Sequence, residues 1–235
     1  MYDLFFLSYD EEFAERNWQE IKQKWPWARR VHGVKGIREA HLECARKSMT
    51  RNFFVVDADN MPDDDFPFDI ELPDYDSHFV HLWFARNLPC GMSYGWGGVK
   101  LFPKKEVLQM SSSYVDFTTT FQLKVIPEAK STNRFNSSEF SAWRSAYRES
   151  CKLTWASDLE SKERLEKWLA PKIGHSYCEL IKSGAENGHA DALVSKSIPI
   201  NDWEWLLSKF NEVKNNEKHD SRHIEWGELF DQGGS

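Results

Sequence analysis

Along the first sixty residues the apolar positions follow strand and helix patterns in turn. Asp3 to Ser8 carries the apolar run Leu4-Phe5-Phe6-Leu7 and reads as a first strand. Phe13, Trp18, Ile21 and Trp25 then give a partly amphipathic helix that stops at Pro26, with Ser8 or Asp10 expected as its cap. Ala28 to His32 reads as a second strand closed by Gly33, and Ile37, Ala40, His41, Cys44 and Ala45 form one face of a second helix. Phe53 to Val56 is a continuous apolar run of strand length, expected of a strand buried on both faces. Strand, helix, strand, helix, strand makes two βαβ units and predicts a parallel sheet with right-handed crossovers.

Farther on the pattern is coarser. Met61 to Asp76 is an acidic, proline-punctuated connection in which Phe66 and Phe68 are the expected apolar anchors. His78 to Phe84 reads as a strand, with His81 a satisfied buried histidine rather than a ligand. Tyr94 to Gly98 is a glycine-rich turn leading into the apolar strand Val99 to Phe102. Ser111 to Thr120 is rich in hydroxyls around Asp116, with Thr118 to Thr120 either strand or loop. Phe140, Trp143, Ala146, Tyr147, Cys151, Leu153 and Trp155 recur at helical spacing behind Ser137 or Ser138 as cap. Further helices are predicted over Asp158 to Leu169, Tyr177 to Asn187 and Ile198 to Val213, the last capped by Asn201 or Asp202.

The third strand ends in two carboxylates, Asp57 and Asp59. In extended chain such positions point the same way and can converge on one cation. Hard oxygen ligands suit Mg2+ or Mn2+ shared with substrate phosphates. The plain alternative is a turn or cap, which Asp also serves. No G-x-G-x-x-G follows the first strand and no G-x-x-x-x-G-K-[ST] occurs, which speaks against dinucleotide and P-loop binding. In His32-Gly33-Val34-Lys35-Gly36, a glycine-flanked lysine precedes a helix and suits an anion; a turn with a solvated lysine is the alternative.

Charge changes the picture in two places. The net charge of −7 argues against coating nucleic acid by charge alone. Residues 57–76 hold nine acidic side chains and no basic one, whereas 99–152 hold nine basic against five acidic. Arg144 and Arg148, one helical turn apart in that basic stretch, suit a diphosphate or DNA phosphates, or pairing with Glu139 and Glu149. The four cysteines lie far apart with no C-x-x-C, as expected of reduced thiols in a cytoplasmic protein. Leu4 to Leu7 lacks a basic lead-in and is expected to be a strand, not a leader, and no apolar run approaches a membrane span.

Several stretches taken together resemble a known family. They are Phe5 to Glu11, Arg30-Val31-His32-Gly33-Val34-Lys35-Gly36-Ile37, Phe54-Val55-Val56-Asp57-Ala58-Asp59, Tyr94 to Pro103, Val115-Asp116-Phe117-Thr118-Thr119 and Phe140 to Glu149. Over residues 1 to about 185 the chain is similar to small GT-A-like glycosyltransferases encoded by tailed bacteriophages. One departure is Asn136-Ser137-Ser138-Glu139, where the family pattern would have Asn-Thr-Asp-Pro.

The resemblance implies an α/β, GT-A-like fold: a Rossmann-type, mostly parallel sheet flanked by helices, with a helical C-terminal part. One domain is expected over 1–214, with a nucleotide-binding half at 1–60, an acceptor and sugar half at 77–152, and a helical part at 153–214. A polar tail at 215–235 follows. The donor would be a nucleoside-diphosphate sugar, a UDP-sugar favoured, with Mn2+ or Mg2+ on Asp57 and Asp59. Ser8, Tyr9 and Asp10 would hold base and ribose, Lys35, Arg38 and Arg144 the diphosphate, and Gly97 and Gly98 would leave room for the sugar. His175 or His189 could add a metal ligand. If transfer inverts configuration, Asp116 or Glu139 would take the proton of the acceptor hydroxyl. The acceptor implied is a 5-hydroxymethylpyrimidine in phage DNA, modified in the host cytoplasm and flipped out of a duplex. The alternatives are a glycan, lipid or protein acceptor, or a non-catalytic binding module. The module predicts Asp57 and Asp59 paired with Lys or Arg and facing no open pocket. A nucleotidyltransferase is disfavoured, because Tyr9 to Glu12 lacks a glycine-rich basic loop.

Overall fold

A computed structural model describes residues 1–95, 98–111 and 121–215. The chain divides into two compact units, 1–138 with 172–176, and 139–171 with the residues from 177 onward.

The first unit contains β1 (Asp3–Ser8), α1 (Ala14–Lys24), β2 (Arg29–His32), α2 (Ile37–Lys47), β3 (Asn52–Asp57) and β4 (Asn60–Pro62). It continues with β5 (Val80–Asn87), β6 (Met92–Tyr94), β7 (Lys100–Pro103), α3 (Lys104–Leu108) and β8 (Leu123–Asn133). The sheet runs β2-β1-β3-β7-β5-β8-β4, with β6 paired to β5. β1 pairs parallel with β2 and β3, and β5 with β8. The pairs β3–β7, β5–β7, β5–β6 and β4–β8 are antiparallel. The sheet is therefore mixed, which corrects the expected mostly parallel one. An apolar run such as Val99 to Phe102 buries the same side chains in either direction, so its pattern does not encode strand sense.

The two βαβ units form as expected. Leu4, Phe6, Phe54 and Val56 pack with Ala14 and Ile21 of α1. Phe5, Leu7, Phe53 and Val55 pack with Ala40, Cys44 and Ala45 of α2. Successive side chains of β1 and β3 thus enter opposite cores, which is why both read as unbroken apolar runs. Phe66 and Phe68 anchor the acidic connection, Phe68 lying edge-on to Phe54 with ring centroids 5.0 Å apart. Neither Ser8 nor Asp10 caps α1, which follows Phe13 without a side-chain cap. Glu11 instead accepts the Tyr9 amide at 2.8 Å.

The strand β8 is an unexpected element. It carries Pro127, and its register against β5 jumps from Trp83↔Ile126 to Phe84↔Ala129. That irregularity leaves Pro127 and Glu128 without ladder partners, which a proline requires.

The second unit is helical, with α4 (Glu139–Ala156), α5 (Leu159–Leu169), α6 (Cys178–Val194) and a helix α7 over 203–215. Phe140, Trp143, Tyr147, Cys151, Leu206 and Phe210 share its core. Asp158 caps α5 through the Ser161 amide, and Asp202 accepts the Trp205 amide at the start of α7. α6 runs to Val194, a full seven residues past the expected end at Asn187. Among the described residues no helix is long and apolar enough to cross a membrane.

Candidate functional site

The parallel strands β2, β1 and β3 end side by side, with Ser8 opposite His32 and Leu7 opposite Asp57. The crossover through α1 leads from β1 to β2 on one flank, and the crossover through α2 leads back to β3 on the other. The chain leaves β1 and β2 toward opposite faces, α1 packing on one core and α2 on the other, while Ala58, Met61, Phe66 and Phe68 after β3 return to the α1 core. The carboxyl edge of such strands is where open α/β sheets take their ligands.

Asp57 and Asp59 occupy this edge on a turn pinned from two sides. The buried Asn17 of α1 donates from Nδ2 to the Ala58 carbonyl at 2.8 Å. The Arg134 amide donates to the Asp59 carbonyl at 2.5 Å. Asp57 Oδ2 accepts from Lys100 Nζ at 2.5 Å, the lysine side chain being 2% exposed and the aspartate 30%. Antiparallel pairing sets Lys100 opposite Val55 and brings its head to the carboxyl edge. A buried ammonium needs such a counter-charge. Neither Asn17 nor Lys100 is among the expected site residues. Asn17 reads as an ordinary polar helix position, and Lys100 is hidden at the start of an apolar run.

Asp57 keeps Oδ1, and Asp59, partly buried, is a second hard-oxygen residue of the same turn. Among the described residues no group of three or more His, Cys, Asp or Glu side chains converges as a metal cage. Carboxylate oxygens are the donors that Mg2+ or Mn2+ takes, the rest of the shell coming from water and phosphates.

The remaining expected residues separate into three groups. Ser8, Tyr9, Asp10 and Lys35 lie at the same carboxyl edge or in the loops leaving it. Ser8 is buried, while Asp10 and Lys35 are exposed. Gly33 and Gly36 have φ of 72° and 91°, which favours glycine, and nothing lies within 4 Å of where their Cβ atoms would be. Arg38 donates to the carbonyls of Ser111 and Met110 at 2.8 and 2.9 Å and pairs with Glu39, so it ties α2 to the end of the α3 segment. A Cβ on Gly98 would lie 1.7 Å from the Trp83 carbonyl oxygen; contact with β5 accounts for this glycine. Glu139 and Arg144 belong to the helical unit. Glu139 pairs with Lys214, and the Arg144 guanidinium lies 4.6 Å from the Trp203 ring centroid. Gly97 and Asp116 lie outside the described residues.

Arg148 donates to the Ile200 carbonyl and to Asn201 Oδ1, each at 2.7 Å. His189 Nδ1 meets the Thr154 hydroxyl at 2.8 Å. His81 is buried as expected and burial pushes its imidazole below its ordinary pKa, but neither ring nitrogen has a hydrogen-bond partner among the described residues, which corrects the expected satisfied histidine. A cavity of about 510 Å³ in the first unit is lined by His78, Glu106, Gln109, Ser111 and Gln122 among others, and by none of Ser8, Asp57 or Asp59.

No family model and no curated protein matches the sequence. Among solved structures, the crystal structure of HddC from Yersinia pseudotuberculosis is similar over 55% of this chain and 71% of that one. The identity is 13% and the TM-score 0.34, a likeness that carries no argument about fold or function.

Proposed function

We propose that the carboxyl edge of β1 and β3 binds a nucleoside-diphosphate sugar, UDP-sugars favoured, and that the chain is a GT-A-like glycosyltransferase acting on a hydroxyl acceptor. The observation that carries this reading is the pinned Asp57–Asp59 turn at the carboxyl edge of the parallel strands. The sequence stretches that resemble the bacteriophage family support the same reading.

In this reading Asp59 and Oδ1 of Asp57 would hold Mn2+ or Mg2+, which when bound offsets the negative charge that grows on the departing nucleoside diphosphate. Lys100 fixes the rotamer of Asp57 and cancels one of the two carboxylate charges. Asn17 and the Arg134 amide hold the turn so that both carboxylates arrive oriented, without the cost of ordering them at each turnover. The open loop between Gly33 and Gly36, with Lys35, faces the diphosphate, and Ser8 to Asp10 the nucleoside. The proposed acceptor is a 5-hydroxymethylpyrimidine in DNA. If configuration inverts, Asp116 is the carboxylate proposed to take the acceptor proton, Glu139 being paired with Lys214 in the helical unit.

The test is transfer or hydrolysis of UDP- and GDP-sugars with Mn2+, with and without hydroxymethylated DNA. Asp59→Asn is expected to lower turnover about 100-fold or more, the scale of losing one charge-stabilising group. Turnover unchanged in Asp59→Asn refutes the role. The Asp57–Lys100 pair favours a second reading, a module that binds nucleotide sugars without turning them over. Tight binding of the donor with no sugar release under any acceptor condition would establish it.

A further inference from the structure

We infer that His32 reads the ribose of a nucleotide bound at this edge, by donating a hydrogen bond from Nε2 to a ribose hydroxyl oxygen. The inference rests on the nucleotide-binding reading above and goes beyond it in naming the residue and the group it recognises.

Three side chains form a chain behind His32. Glu15 Oε2 accepts from Arg30 Nη1 at 2.6 Å, which fixes the guanidinium. Arg30 Nε donates to Ser8 Oγ at 3.0 Å, and Arg30 Nη2 lies 3.3 Å from His32 Nδ1. Ser8 Oγ lies 2.9 Å from the same Nδ1. A guanidinium only donates, so Arg30 Nη2 facing Nδ1 asks that nitrogen to accept, and the Ser8 hydroxyl can donate to it as well while accepting from Arg30 Nε. Two donors then converge on Nδ1, which must be the bare, accepting nitrogen. In the neutral ring the hydrogen sits on Nε2, at the far side from Ser8 and Arg30.

The location decides what that donor can meet. His32 is the last residue of β2 and is exposed. Its ring is hydrogen-bonded to Ser8, the first residue of the Ser8 to Asp10 stretch proposed above to face the nucleoside, so the ribose is the group within reach. Here the group presented is a donor held in one tautomer, so its complement is a hydroxyl oxygen. Gly33, directly after it, leaves open space where a side chain would otherwise crowd a ligand. Ser8, buried at the end of β1, therefore acts through His32 as a positioning residue.

Two measurements on the full chain test this. Long-range 15N–1H correlation spectra of histidine-labelled protein, with His32 assigned by its loss in His32→Gln, should show the Nε2–H tautomer. An Nδ1–H tautomer overturns the inference. Calorimetric titration with UDP, 2′-deoxy-UDP and 3′-deoxy-UDP should show wild type preferring UDP over at least one deoxy analogue about tenfold. His32→Leu should lose that preference, and His32→Gln, which keeps an amide donor, should retain part of it. Ser8→Ala should narrow the preference by releasing the ring. If wild type binds UDP and His32→Leu discriminates equally well, this inference fails and the donor reading stands. If wild type binds neither UDP nor GDP, both fall together.

Discussion

A lysine head buried as deeply as that of Lys100 needs a partner of opposite charge, and Asp57 supplies it. The two partners differ in exposure, and the difference sets a direction. Removing Asp57 leaves the lysine head in the core without that charge, whereas removing Lys100 leaves an aspartate that water can reach. Asp57→Ala is expected to cost about 2–4 kcal/mol and Lys100→Met less, on the scale of broken buried pairs. Urea midpoints of the two variants check this, and a larger loss for Lys100→Met would reverse the assignment. Asp3 makes a second case at this scale. Partial burial raises its carboxyl pKa, but the Met49 amide, the Ser48 hydroxyl and the Arg29 charge outweigh burial and hold it below the ordinary value. A carboxyl depressed in the folded state contributes stability above its unfolded pKa and loses it as pH falls through the folded one. The stability gap between wild type and Asp3→Asn should therefore be full at pH 7 and shrink below about pH 4, the ordinary Asp range. A gap constant down to pH 2.5 in denaturation curves would contradict this.

The clearest elements to read from sequence are those whose side chains answer to one burial pattern. β1 and β3 are apolar on both faces, so the run of apolar residues alone places the acids at their carboxyl ends. β8 escapes such a reading, because its ladder skips Pro127 and Glu128 and much of the strand is exposed or half-buried. Lys100 is illegible as a partner of Asp57, since forty-three positions separate them and only strand pairing brings them together. α6 shows how a misleading residue shortens an expected helix. Gly188, the residue just past the expected end, looks like a breaker, yet it and Gly184 both lie inside α6 against α4. Their Cβ atoms would stand 2.4 Å from the Trp143 carbonyl oxygen and 2.2 Å from that of Tyr147. Alanine would gain about 1 kcal/mol of helix propensity at each site. Forcing backbone apart in a packed interface costs about 1–3 kcal/mol or more, so packing wins. Gly188→Ala should lower the melting temperature of the chain despite the better helix former. A stabilised variant in a thermal melt would refute the close approach.

For the whole molecule, a net charge of −7 means that DNA, if it is the acceptor, is met by a local surface rather than a general field. Several cations of the helical unit are already engaged, Lys209 with Asp191, Lys214 with Glu139 and Arg148 with the 200–201 turn. Cations held in this way release fewer counterions, so the slope of log affinity against log salt should be shallow, about −1 to −4. A slope steeper than about −5 in fluorescence titrations would show a cationic face not accounted for by these residues.

The thiols report on both units at once. Burial pushes Cys44, in the first unit, up to about 12, the Asp57 charge adding to it. Burial likewise pushes Cys151, in the second unit, up to about 12, with the Asp191 charge in the same direction. At pH 8 a thiol of that kind is about one part in ten thousand thiolate, and only the thiolate attacks an alkylating reagent. Burial and the Glu179 charge push Cys178 up as well, but this residue is only partly buried and open to reagent. Brief iodoacetamide labelling of the native chain should modify Cys178 at least about 100-fold faster than Cys44 or Cys151, read by peptide mass spectrometry. In rising urea, Cys44 and Cys151 become reactive only as their own cores open, so each gives the stability of its unit in the intact chain. If Cys44 reacts as fast as Cys178 without denaturant, the strands that carry Asp57 are not packed as described, and the candidate site goes with them.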